Sequence, residues 1–74
     1  MIHHLDITEE HCPMTFVKTR LKLEEINQND ILEVLLKAGE PLDNLPKAVQ
    51  EYGFHVLNIQ QITDKIYKLF IKKV

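Results

Sequence analysis

Ile31-Leu32-Glu33-Val34-Leu35-Leu36 constrains the fold of this chain more than any other segment. Five of its six side chains are apolar, and such a short, nearly continuous run reads as a buried strand. It therefore predicts a sheet, with this strand central and covered on at least one face. The neighbouring segments supply the rest. Ile2 to Ile7 reads as a short first strand, weakened by His3, His4 and Asp6. Pro13 to Ile26 reads as a helix with two apolar rows, Met14, Val17 and Leu21 beside Phe16, Leu23 and Ile26, and so a broad buried face. Asn27-Gln28-Asn29-Asp30 turns the chain into the apolar run.

Beyond Gly39-Glu40-Pro41, Asp43 or Asn44 is expected to cap a second helix with Pro46 in its first turn. Leu45, Ala48, Val49 and Tyr52 fall at i, i+3, i+4 and i+7, one stripe for the core. Gly53 suits the left-handed residue past a helix end. Phe54 to Ile62 and Ile66 to Ile71 read as two strands, close enough across Thr63-Asp64-Lys65 for a hairpin. The order is β-α-β-α-β-β. Both helices need a sheet face to cover their stripes, which predicts an α/β two-layer sandwich with two helices on one face of a four-stranded mixed sheet.

In that architecture the first strand delivers the chain to Cys12-Pro13. Proline suits the first helical position, which sets Cys12 at the N-cap, where unpaired backbone N–H groups and the helix dipole favour an anion. A thiol so placed is expected to titrate below its ordinary value of about 8.5. Glu9, Glu10 and His11 make the approach polar, which favours a reactive, partly exposed sulfur over the small buried hydrophobe that free cysteines often are. The first strand's C-terminal end is also where ligands and chemistry gather in folds of this kind.

Composition narrows the classes of function. Seventy-four residues make one domain, 1–74, with one modest core and no deep enclosed site. Cys12 is the only cysteine, so no internal disulfide forms, and a reducing cytoplasmic setting is expected. No signal peptide or membrane-spanning run is visible. The net charge of −2 is uneven: residues 1–64 carry five basic and eleven acidic side chains, whereas 65–74 carry Lys65, Lys68, Lys72 and Lys73 and no acid. An acidic body argues against direct nucleic-acid binding. The lysines are expected to keep a terminal strand soluble and unpaired, with contact to an acidic partner as the other reading. His3, His4, His11 and Cys12 raise the question of a metal, but adjacent His3 and His4 point to opposite faces of a strand, so no metal and no cofactor is expected.

Taken together, Cys12-Pro13 opening the first helix, Thr19-Arg20 further along it, the Asn29-Asp30 turn and Tyr52-Gly53-Phe54-His55-Val56 after the second helix resemble the TusA/SirA family of small sulfur-carrier proteins. The resemblance spans nearly the whole chain and implies the same two-layer βαβαββ sandwich. It implies that Cys12 carries sulfur as a persulfide, supported by the helix N-terminus at Pro13, Met14 and Thr15. The partners it implies are proteins: a donor such as a cysteine desulfurase or rhodanese, and an acceptor on the way to tRNA thiolation, cofactor synthesis or sulfur metabolism. His11, Lys18 and Arg20 are the candidate docking residues; Arg20 matches an arginine common in the family. No membrane partner is expected. The sequence departs from the family at three places. Thr15 stands where the second proline of Cys-Pro-x-Pro is usual, Asn29 replaces a glycine before the second strand, and Glu9 and Glu10 stand where a glycine often precedes the cysteine. The competing class is a non-catalytic protein-binding or redox-regulatory module of the same fold.

Overall fold

The computed structural model describes residues 1–11 and 14–73, Glu40 through its backbone alone. The elements follow in the order β1 (Ile2–Asp6), α1 (Met14–Glu25), β2 (Ile31–Lys37), α2 (Glu40–Glu51), β3 (His55–Gln61) and β4 (Ile66–Lys72). They build a two-layer α/β sandwich whose sheet has the order β1-β2-β4-β3. β1 pairs parallel with β2, β4 runs antiparallel to β2, and β3 closes the far edge antiparallel to β4.

Strand alternation explains which face is covered. Leu32, Val34 and Leu36 of β2 lie opposite Ile71, Leu69 and Tyr67 of β4. Except for the half-buried Tyr67, all are buried, with Leu23 and Ile26 from the α1 segment, Leu45 and Val49 from α2, and Ile7. Among the described residues, ten hydrophobic side chains thus make one core between sheet and helices. The predicted central position of β2 is as observed.

Four expectations change. In α1, Met14, Val17 and Leu21 are 44%, 38% and 56% exposed, so this apolar row faces outward. The core face is Thr15, Thr19, Leu23 and Ile26. Threonine serves there because the Thr19 hydroxyl donates to the Thr15 carbonyl at 2.8 Å, leaving a methyl for the core. α2 begins about one turn earlier than predicted. Gly39 is its N-cap with φ 103°, a glycine conformation, and no side chain caps it, neither Asp43 nor Asn44. Pro41 occupies the first turn and Pro46 sits inside the helix, tolerated because Leu45 and Val49 anchor that segment in the core. Tyr52 is half exposed rather than part of the core stripe. It caps the C-terminal end of α2, ahead of Gly53 at φ 93°.

The fourth change concerns the lysines. β4 is an interior strand, paired on both sides, so its lysines do not guard an edge. Lys68 and Lys72 stand opposite Leu35 and Ile31 on the face away from the helices. Lys73 instead caps α1: its ammonium donates to the carbonyls of Ile26 at 2.8 Å and Glu24 at 3.2 Å. A cation there complements the negative end of the helix dipole.

Asn29 explains one departure from the family pattern. Its φ is 71°, the left-handed region that favours glycine and tolerates asparagine. The turn is tied to the sheet by Asn29 N–H to the Lys73 carbonyl at 2.6 Å and Lys73 N–H to the Asp30 carbonyl at 3.0 Å.

Candidate functional site

The segment between β1 and α1 is built by short-range hydrogen bonds. Ile7 is buried and its N–H donates to the Leu35 carbonyl at 2.9 Å, which ends the parallel pairing. Asp6 then turns the chain, its Oδ1 accepting from the Thr8 hydroxyl at 2.7 Å and the Thr8 N–H at 2.9 Å. Those two bonds, the hydroxyl first, hold the Asp6 carboxyl below its ordinary value, against a smaller opposing effect of burial. Glu10 N–H bonds back to the Ile7 carbonyl at 3.1 Å. His11, ahead of α1, is exposed, and its carbonyl accepts from the N–H groups of Met14 at 2.7 Å and Thr15 at 3.3 Å.

Cys12 and Pro13 lie outside the described residues, and with them the expectations of an N-cap cysteine and a partly exposed sulfur. Their described neighbours in sequence, His11 and Met14, are both exposed. Thr15, at the position of the family's second proline, is buried against the core.

The candidate docking residues diverge. The Lys18 ammonium contacts the Glu10 carboxylate, tying α1 to the approach segment. Arg20 turns elsewhere, since residues two apart on a helix do not share a face. Its guanidinium lies 4.7 Å from the centre of the Tyr52 ring, and its Nε is 3.7 Å from Glu24 Oε1. Phe16 packs on the same ring, with centroids 5.2 Å apart. Tyr52 therefore joins α1 to the end of α2, a role hidden in the sequence because Tyr52 is more than thirty residues from Phe16 and Arg20. The pairing of Glu10 with Lys18 is likewise not evident from local pattern, opposite charge being the one signal for it. Gly53, Phe54, His55 and Val56, with Gln50, line an open groove of about 440 Å³.

His3 and His4 lie on opposite faces of β1, as strand geometry requires. His3 Nε2 is 2.9 Å from Asp30 Oδ2 and His4 Nδ1 is 2.6 Å from Glu33 Oε2. Among the described residues no group of three or more His, Cys, Asp and Glu side chains is arranged to hold a metal ion. No helix among them is long and apolar enough to cross a membrane.

Residues 3–73 match the family model described as sulfurtransferase TusA. The chain belongs to the TusA sulfurtransferase family. It is similar to a protein of Archaeoglobus fulgidus provisionally named a sulfur carrier, with 38% identity over 69 residues that cover 93% of this chain and 78% of that relative. A Thermotoga maritima protein with the same provisional name is 31% identical over 92% of this chain and 86% of its own length. YedF of Escherichia coli K12, also provisionally a sulfur carrier, is 32% identical over 80% of this chain and 77% of its own length. The TusA match spans all six elements, from within β1 to past β4.

Proposed function

We propose that residues 1–74 act as a single sulfur-carrier domain, which accepts sulfur as a persulfide on Cys12 and relays it to a partner protein. One observation carries this reading: a TusA-family chain has a single cysteine, and it falls in the segment between β1 and α1. A carrier that holds sulfur on a thiol has no other place for it.

The exchange needs no general base from this chain. The Cys12 thiolate attacks the terminal sulfur of a donor persulfide; a new S–S bond forms, the donor's S–S bond breaks, and the donor leaves as a thiolate. Cys12 then carries Cys–S–S⁻. An acceptor thiolate attacks the outer sulfur in turn and Cys12 leaves as thiolate. No electrons are gained or lost overall. The N-terminus of α1 favours the anion at each stage. The outward row Met14, Val17 and Leu21 starts beside Cys12-Pro13 and offers an apolar strip to a docked partner. His11 and Lys18 supply its polar border, and Arg20 lies further along, on Tyr52.

The donor is a cysteine desulfurase or rhodanese-like protein, and the acceptor is a protein thiol serving tRNA thiolation, cofactor synthesis or sulfur metabolism. This reading assigns no cofactor, metal, direct nucleic-acid contact or membrane contact, and it places the exchange in a reducing cytoplasm. Intact-mass analysis after incubation with a desulfurase and its sulfur source tests the proposal. Gain of a reducible sulfur atom supports the carrier. A folded protein that takes up no sulfur from desulfurases or rhodaneses is instead a binding or redox-regulatory module.

A further inference from the structure

We infer that the free edge of β3 is a self-association surface, along which a second copy of this chain adds antiparallel to continue the sheet. The two edges of the sheet are unlike. β1 is a five-residue strand carrying His3, His4 and Asp6. β3 is longer, seven residues, and within it Leu57 and Ile59 are 49% and 44% exposed, with Ile62 just beyond at 46%. From Tyr52 to Thr63 twelve consecutive residues include no Asp, Glu, Lys or Arg, in a chain that is 27% charged. Natural sheets guard an edge with charge, proline, a bulge or a covering element. Here the register irregularity between Val56 and Asn58 protects only the start of the strand. The stretch from Asn58 to Gln61 is regular.

The ladder fixes which backbone groups are open. Ile62 N–H donates to the Ile66 carbonyl at 2.9 Å, so Ile62 faces β4. In an antiparallel ladder alternate residues face the same side. Gln60 and Asn58 therefore also turn their main-chain groups to β4, and Ile59 and Gln61 turn theirs to the open edge. A second copy related by a two-fold axis beside Gln60 sets Ile59 opposite Gln61 of that copy, and the reverse. Each pair exchanges its N–H···O=C bonds.

Charge selects the occupant. A two-fold axis faces the segment with itself, so any charge on it would bring a like charge into cross-strand range, which is destabilising. This edge holds none. A highly charged foreign segment would find no complement there. The association also leaves the proposed carrier site free, because β1, which leads to Cys12, is at the opposite edge of the sheet.

Sedimentation velocity under reducing conditions tests this, since a reductant removes any Cys12-linked dimer. The wild-type chain should shift from monomer toward twice that mass as concentration rises from micromolar to millimolar. Ile59→Lys places like charges across the axis, and Gln61→Pro removes an outward N–H while sparing the β4 ladder. Each variant, if folded by circular dichroism, should remain monomeric throughout; where one fails to fold, the other decides. A wild type that stays monomeric at every concentration, or a dimer that survives either folded variant, overturns the inference. Sulfur uptake by Cys12 is read separately by mass, so the two proposals fail independently.

Discussion

Replacing Asn29 by alanine should destabilise the fold although no packed side chain is removed. Asn29 is exposed, and its φ of 71° lies where an ordinary L-residue costs roughly 1–2 kcal/mol and asparagine less. Alanine at unchanged backbone should therefore cost about 1 kcal/mol. Relaxing the turn to a negative φ is no cheaper. It would disturb the 2.6 Å bond from Asn29 N–H to the Lys73 carbonyl and the 3.0 Å bond from Lys73 N–H to the Asp30 carbonyl. Each such bond contributes roughly 0.5–1.5 kcal/mol net. For a domain of this size about 1 kcal/mol lowers Tm by roughly 4–8 °C. Asn29→Gly should stay within about 0.5 kcal/mol of wild type, because glycine's ease at positive φ is offset by its greater unfolded-state entropy. Thermal unfolding of the three proteins followed by circular dichroism reads the difference. If the alanine variant is as stable as the glycine variant, the left-handed turn is not what selects the residue at 29.

Leu69→Ala should cost about 2–5 kcal/mol by urea denaturation, because Leu69 is fully buried on an interior strand. Hydrogen bonding from His3, with smaller help from the terminal ammonium and Asn27 N–H, holds the Asp30 carboxyl below its ordinary 3.8, against burial. The unfolded chain thus takes up the proton first. The stabilisation is whole above about pH 4 and is lost as pH falls through the lower folded value. The stability gap between wild type and Asp30→Asn, measured by urea unfolding at neutral and acid pH, should narrow over that interval; a constant gap would remove this carboxylate from the account. Arg20→Ala should cost no more than about 1 kcal/mol, since it loses an exposed cation–π contact with Tyr52 and a surface ion pair with Glu24. It should slow sulfur transfer from the donor, and an unchanged transfer rate would leave Arg20 as a brace for Tyr52 alone.

The βαβαββ order and the central β2 were legible because both rest on apolar periodicity. Where the fold departs from local pattern, each departure has a specific physical source. Thr15 and Thr19 do not register as core residues in an apolar count because threonine is polar, yet both are buried, and the Thr19 hydroxyl is satisfied inside the helix by the Thr15 carbonyl. Spaced four residues apart, with Leu23 four further on, they were the true stripe. Pro46 points to a helix start, because proline suits the first turn and costs about 3 kcal/mol in a helix interior. Gly39-Glu40-Pro41 held the better signal, and burial of Leu45 and Val49 outweighs the proline. That the last strand lies inside the sheet, leaving β3 at the edge, follows from pairing between distant segments, which local pattern does not encode. Cys12 stood out for the opposite reason: its singularity and its proline are both local.

Sulfur loading tests the central claim most directly. Wild type and Cys12→Ser are each incubated with a cysteine desulfurase and cysteine, then weighed intact before and after a reductant. The account predicts one added sulfur atom on wild type, removed by the reductant. It predicts none on Cys12→Ser, which should remain folded because serine is well tolerated at a helix N-terminus. Equal sulfur uptake by folded Cys12→Ser, or none by folded wild type with desulfurase and rhodanese donors alike, would contradict it.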